Sequence, residues 1–176
     1  MERAKELFLH YGGNRYYMSL DGDENEYDRY RVSKETEEEW RREYLDRFLE
    51  EKRSGRDALG AYAKAAGFLK SDRSDKCGER VLYYPLRSGR LDDVTVLFML
   101  PHSFRLAEKW AKKGKLTRKE AGEYLKALDE YARGVQKRAE DGTLTRAEDY
   151  SALDFSDPAY VAGYLSDLLK EWRSMA

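Results

Sequence analysis

Apolar residues return at every third or fourth position along most of the chain, the spacing of one face of an α-helix. Ala4, Leu7, Phe8 and Tyr11 predict a first helix over about residues 2–11, closed by Gly12-Gly13 because glycine takes the left-handed helix-end conformation without steric cost. Trp40, Tyr44, Leu45, Phe48 and Leu49 predict a helix over about 34–53. It opens on Ser33 and on glutamates suited to the positive end of the helix dipole. Leu59, Tyr62, Ala63, Ala66 and Leu69 mark another over 56–70, where Ala58, Gly60, Ala61, Ala65 and Gly67 would let a neighbour approach closely. Leu106, Ala107, Trp110 and Ala111 predict a helix that Gly114 ends. The clearest stripe is Ala121, Tyr124, Leu125, Leu128, Tyr131, Ala132 and Val135, behind the capping box of Thr117 and Glu120. Thr145 and Glu148 repeat that box and predict a short helix to about Leu153. The last helix follows Pro158 and carries Val161, Tyr164, Leu165, Leu168, Leu169 and Trp172.

Three stretches depart from this period. In residues 14–32, Tyr16, Met18 and Leu20 alternate, Asp21-Gly22 is a turn dipeptide, and Tyr30 and Val32 share a face of a second strand. A small β-hairpin is the expectation, with an ordered loop as the alternative. Arg80 to Tyr84 reads as a short strand that Pro85 terminates, after a polar connector over 71–79. Val94 to Leu100 fits a buried strand or a helix opened by Asp92 or Asp93, and Pro101 is expected to break either one. Together these patterns predict a mainly α fold. It is a single-domain bundle over 1–176, with six to seven amphipathic helices and a small β-hairpin or short strands.

Composition decides between two readings of the high charge. Charged residues make up 38% of the chain, against about 25% in ordinary soluble domains. Disorder would need few aromatics and a large net charge, whereas aromatics are 13% and the net charge is −1. Folded helices with charged outer faces are therefore expected. The same balance gives no global attraction to nucleic acid or anionic lipid. It is unevenly spread: residues 21–39 hold nine acidic and three basic groups, and residues 40–90 hold 13 basic and 8 acidic. Both read as solvated surface. A single cysteine, Cys77, excludes an internal disulfide and fits a reducing, cytoplasmic location. The longest apolar run, Val94 to Leu100, is far short of the roughly 20 residues that span a bilayer, and the charged N-terminus lacks the apolar core of a signal peptide.

Candidate chemistry is sparse. Asp21-Gly-Asp23-Glu-Asn25 imitates the start of a calcium loop, but Glu26 stands where the loop glycine belongs and Val32 where the bidentate glutamate belongs. Gly114-Lys-Leu-Thr-Arg-Lys-Glu120 recurs as Gly142-Thr-Leu-Thr-Arg-Ala-Glu148; both copies read as helix starts. No metal site and no cofactor motif is expected. The basic turn over 109–119 (Lys109, Lys112, Lys113, Lys115, Arg118, Lys119) has a helix-turn-helix setting, but the helix after it carries Glu120, Glu123, Asp129 and Glu130, which repel phosphates. Nucleic-acid binding through this turn is a third-rank reading. His10 and His102 each lack a local catalytic partner, so an enzyme or ligand-binding domain whose site assembles only in the fold ranks second.

The leading expectation is a non-enzymatic interaction or regulatory domain with a protein partner. Fourteen tyrosines are present, and several gather with arginines in the least regular segment. Tyr11, Arg15, Tyr16, Tyr17, Tyr27, Arg29 and Tyr30 are the candidate partner-binding residues, because tyrosine and arginine dominate binding hot spots.

Overall fold

The computed structural model describes residues 1–70, 77–147 and 155–175. Among them are nine helices and no strand: α1 (Glu2–His10), α2 (Arg15–Asp21), α3 (Glu24–Arg29), α4 (Lys34–Glu50), α5 (Gly55–Leu69), α6 (Gly78–Arg87), α7 (Asp93–Lys112), α8 (Arg118–Glu140) and α9 (Pro158–Met175). The mainly helical expectation holds, and the hairpin, the short strand and the helix count are corrected.

The hairpin over 14–32 is two short helices. The Asn14 side chain accepts the amides of Tyr16 (3.0 Å) and Tyr17 (3.3 Å), starting α2, and Gly22 at φ 82° ends it in the left-handed region. The alternation of Tyr16, Met18 and Leu20 misled because only Met18 is buried. The strand at 80–84 is part of α6, which continues through Pro85.

Residues 94–100 are helical, and α7 runs unbroken past Pro101. Proline has no amide to donate to the carbonyl four residues earlier, which is Leu97. The Tyr164 hydroxyl of α9 donates to that carbonyl instead, at 2.6 Å. A tertiary contact thus repairs the defect that the sequence alone says should end the helix.

The main core lies where α7 packs on α5 and α6 and where α8 packs on α9, with α9 also reaching α7. Its indoles also bond main-chain carbonyls: Trp110 donates to that of Leu69 at the end of α5, and Trp172 to that of Ala121 in the first turn of α8. Asp93 at the start of α7 is almost fully buried. Its carboxylate accepts two bonds from Arg138 of α8 (2.7 and 2.9 Å) and one from the Thr145 amide (3.1 Å). Thr145 Oγ1 in turn accepts the Asp93 amide at 2.9 Å. Thr145 therefore serves the start of α7; most of the short helix expected to follow it lies outside the described residues.

A second, smaller core adjoins the first, with the half-buried Tyr44 packed against both. Ala4, Leu7 and Phe8 of α1 enclose it with Met18, Tyr27, Trp40 and Phe68. Through it α1–α3 sit as a cap on α4 and the end of α5, and this cap carries the tyrosine-rich segment.

Candidate functional site: the tyrosine-bearing cap and its cleft

The seven expected residues divide sharply. Tyr27 is the buried residue of α3, and its hydroxyl donates to Glu37 at 2.7 Å. Arg15 lies over the Tyr27 ring, 4.3 Å from its centroid, and pairs with Asp28 at 2.9 Å. The Tyr11 hydroxyl sits between Asp23 (2.7 Å) and Asp21 (3.0 Å). Its hydrogen bonds to these carboxylates, led by Asp23, raise its pKa well above the ordinary tyrosine value. Tyr30 is half-buried with its hydroxyl on Glu26, and Arg29 is exposed on α3. These contacts hold the cap together.

Tyr16 and Tyr17 are different. They remain 67% and 55% exposed, with rings paired at 5.7 Å between centroids. Leu20, absent from the expected set, stands one turn further on the same face and is 63% exposed. Large apolar side chains exposed together on one short helix are the informative exception to the rule that isolated apolar residues on surfaces mean little.

Tyr17 also lines a cleft of about 690 Å³ between the cap, α4 and α5. Gly12 and Gly13 form its rim, both at positive φ (58° and 71°). A side chain on Gly13 would meet the Phe8 ring at 3.1 Å, so glycine is needed there on two counts. The floor is one face of α5, where Gly60, Ala63, Lys64 and Gly67 follow helical spacing. The sequence reading expected α5's small residues to admit a neighbour. Ala58, Ala61 and Ala65 are buried, but a Cβ on Gly60 or Gly67 would meet nothing within 4 Å. On that side the small residues make open space.

The cleft is electrostatically lopsided. Its carboxylates are engaged: Glu37 accepts from Tyr27, and Glu38 pairs with Arg41, whose guanidinium also donates to the Phe68 carbonyl. Lys34, Lys64 and Lys70 line it with no carboxylate at ion-pair distance among the described residues. Burial lowers the pKa of both Lys64 and Lys70. His10 shares the cleft and stacks edge-on against Tyr11. Sequence reasoning missed the lysines and the glycine floor. Their only signal was the repeat of small residues at helical spacing across α5, which was read as a packing face.

The remaining candidates settle as follows. His102 is half-buried on α7, where burial, then Arg105 and Lys70, lower its pKa. Cys77 is buried and donates to Asp46 at 3.2 Å. The basic turn at 109–119 is anchored by buried Leu116, and Lys112 pairs with Glu108. No group of three or more His, Cys, Asp or Glu among the described residues is arranged to hold a metal ion. None of the helices is long and apolar enough to cross a membrane, among the described residues. No known protein family, no curated protein and no solved structure matches the chain.

Proposed function

We propose that the chain is a non-enzymatic interaction domain that holds a protein partner on its cap. The observation that carries this reading is the face of α2, where Tyr16, Tyr17 and Leu20 remain largely exposed while every other large aromatic of the cap is packed. Rigid aromatic rings provide contact area at low entropic cost. The partner segment takes its chemistry from what it would meet. Apolar or aromatic side chains would pack on Tyr16, Tyr17 and Leu20, and acidic groups would enter the cleft toward Lys34, Lys64 and Lys70. Arg15, on α2 itself, and Arg29, exposed on α3, would add cationic contacts, while Tyr11, Tyr27 and Tyr30 support the cap from within. The single buried thiol supports placing this function in the cytoplasm.

The test is capture from a lysate of the source cell with two baits, the native chain and Tyr16→Ala/Tyr17→Ala, followed by hydrogen exchange on the purified complex. A stoichiometric protein retained by the native bait alone, with new protection over residues 11–20 and 60–70, is the expected result. Equal capture by both baits, or no captured protein, removes the proposal.

A further inference from the structure

A second cleft, of about 800 Å³, opens between the end of α4 and α6 and shares no lining residue with the cap cleft. One wall is a stripe of α6. Arg80, Tyr83, Tyr84 and Arg87 stand at positions i, i+3, i+4 and i+7, so one helical face carries two arginines whose Cα atoms are about 10 Å apart along the axis, with two tyrosines between them. Arg90 follows just beyond the helix, and Lys52 and Arg53 face the same space from the segment between α4 and α5.

The charges are not balanced. The cleft is lined by five cationic side chains and two carboxylates, Glu51 and Glu79. Arg53 is neutralised by Glu51 and Asp57. Lys52, Arg80, Arg87 and Arg90 have no carboxylate at ion-pair distance among the described residues. Unpaired cations inside a concave wall concentrate anions.

Two features narrow the ligand. Arg87 is held with its guanidinium 3.8 Å above the centroid of the Tyr83 ring, which reduces the side-chain freedom that anion binding would otherwise remove. The tyrosine rings themselves are already used: Tyr84 packs on Phe48 and Tyr62, and Tyr83 on Tyr124. The cleft therefore recognises by charge and hydrogen bonding, with little aromatic face left for stacking. Its volume falls in the range of small-molecule sites, roughly 300–1,000 Å³.

We propose that this cleft binds a small organic phosphate carrying more than one anionic group, with Arg80 and Arg87 gripping its two ends and Arg90 closing on it. Guanidinium matches phosphate bidentately, and four unneutralised cations exceed what a single carboxylate would offset. The sequence reading concealed this stripe. Read as a strand, residues 80–84 put Tyr83 on the opposite side from Arg80 and Tyr84; read as a helix, all three share a face.

The experiment is isothermal titration of the full chain with sodium tripolyphosphate in 0.1 M salt, with citrate and sulfate as comparison anions. One saturable tripolyphosphate site is expected, weakened about tenfold or more in Arg80→Gln/Arg87→Gln and unchanged in Lys109→Gln/Lys119→Gln, which removes equal charge from the basic turn. Arg80→Lys/Arg87→Lys keeps the charge but loses the fork, and is expected to bind several-fold more weakly than the native chain; this holds the test open if the glutamine variant fails to fold. Absence of saturable heat, citrate binding as tight as tripolyphosphate, full affinity in the lysine variant, or equal loss in the basic-turn variant would overturn the assignment.

Discussion

The cap and the bundle use the same residue types to opposite ends. In the bundle, three aromatic side chains end their polar atoms on main-chain carbonyls: Tyr164 on Leu97, Trp110 on Leu69, Trp172 on Ala121. In the cap, tyrosine hydroxyls end on surface-proximal carboxylates, with Tyr11 on Asp23, Tyr27 on Glu37 and Tyr30 on Glu26. The bundle's principal ion pair, Asp93–Arg138, has a nearly buried carboxylate, whereas in the cap's Arg15–Asp28 pair both partners are largely exposed. A carboxylate near the surface can exchange a tyrosine for water at little cost; a buried carbonyl cannot. The bundle is therefore expected to open less readily than the cap, whose polar contacts can be exchanged for water.

The largest expected contrast follows from the two cores. Leu97→Ala, fully buried in the first half of α7, should cost about 3–4 kcal/mol and lower the melting temperature of the whole chain by roughly 6–16 °C. Phe8→Ala removes the ring that touches Tyr27, Trp40 and Phe68 together. Its effect should stay local: amide exchange over 1–32 accelerates while α7 and α8 keep their protection. If Phe8→Ala exposes α7 and α8 as strongly as Leu97→Ala does, the two regions are one cooperative unit and the contrast fails.

Next in size are the two ion pairs. Asp93→Asn should cost about 2–3 kcal/mol, because it weakens three charge-assisted bonds at the start of α7; Asp28→Asn should cost less than about 0.5 kcal/mol. Burial pushes the Asp93 carboxyl up, but the bonds from Arg138 and the Thr145 amide outweigh it and hold its pKa below the ordinary value. Its stabilising effect is therefore fully present above the unfolded value, about pH 4, and is lost as pH falls through the lower folded value. The melting-temperature gap between the native chain and Asp93→Asn should be constant above about pH 5 and shrink in more acid solution. A gap that widens on acidification would contradict the assigned role.

How much was legible in the sequence follows the same division. Helices with long stripes were read nearly in register, as for Trp40 to Leu49 in α4 and Ala121 to Val135 in α8, because periodicity over several turns outweighs local noise. The errors fall where fewer than three turns were available or where tertiary contacts decide. α2 has seven residues, too few for a 3.6-residue period to be told from an alternation of two. In α6 the aromatic segment that ends in proline is a local strand signal, which burial of Val81, Leu82 and Tyr83 on a helix overrides. Tyr16 and Tyr17 are exposed and Tyr27 beside them is buried, a division the sequence does not carry, because residue type alone does not say which tyrosine of a cluster faces inward. The α6 arginine stripe exists only in the helical form of the segment, so a strand pattern does not reveal it.

The smallest effects concern single hydroxyls, and they probe the contrast most finely. Tyr164→Phe leaves the Leu97 carbonyl with neither its side-chain donor nor a main-chain one, because position 101 is proline. The expected cost is about 1–2 kcal/mol. Tyr27→Phe removes an equally short hydroxyl contact, but Glu37 regains water, so the cost should be below about 0.5 kcal/mol. A double-mutant cycle separates the carbonyl from general packing. In the Pro101→Ala background the amide at 101 reaches the Leu97 carbonyl, so Tyr164→Phe should cost less there than in the native chain, by about 1 kcal/mol in denaturant unfolding. Additive costs would mean that the tyrosine stabilises α7 by contact alone, and that the bundle's hydroxyls are no different in kind from the cap's.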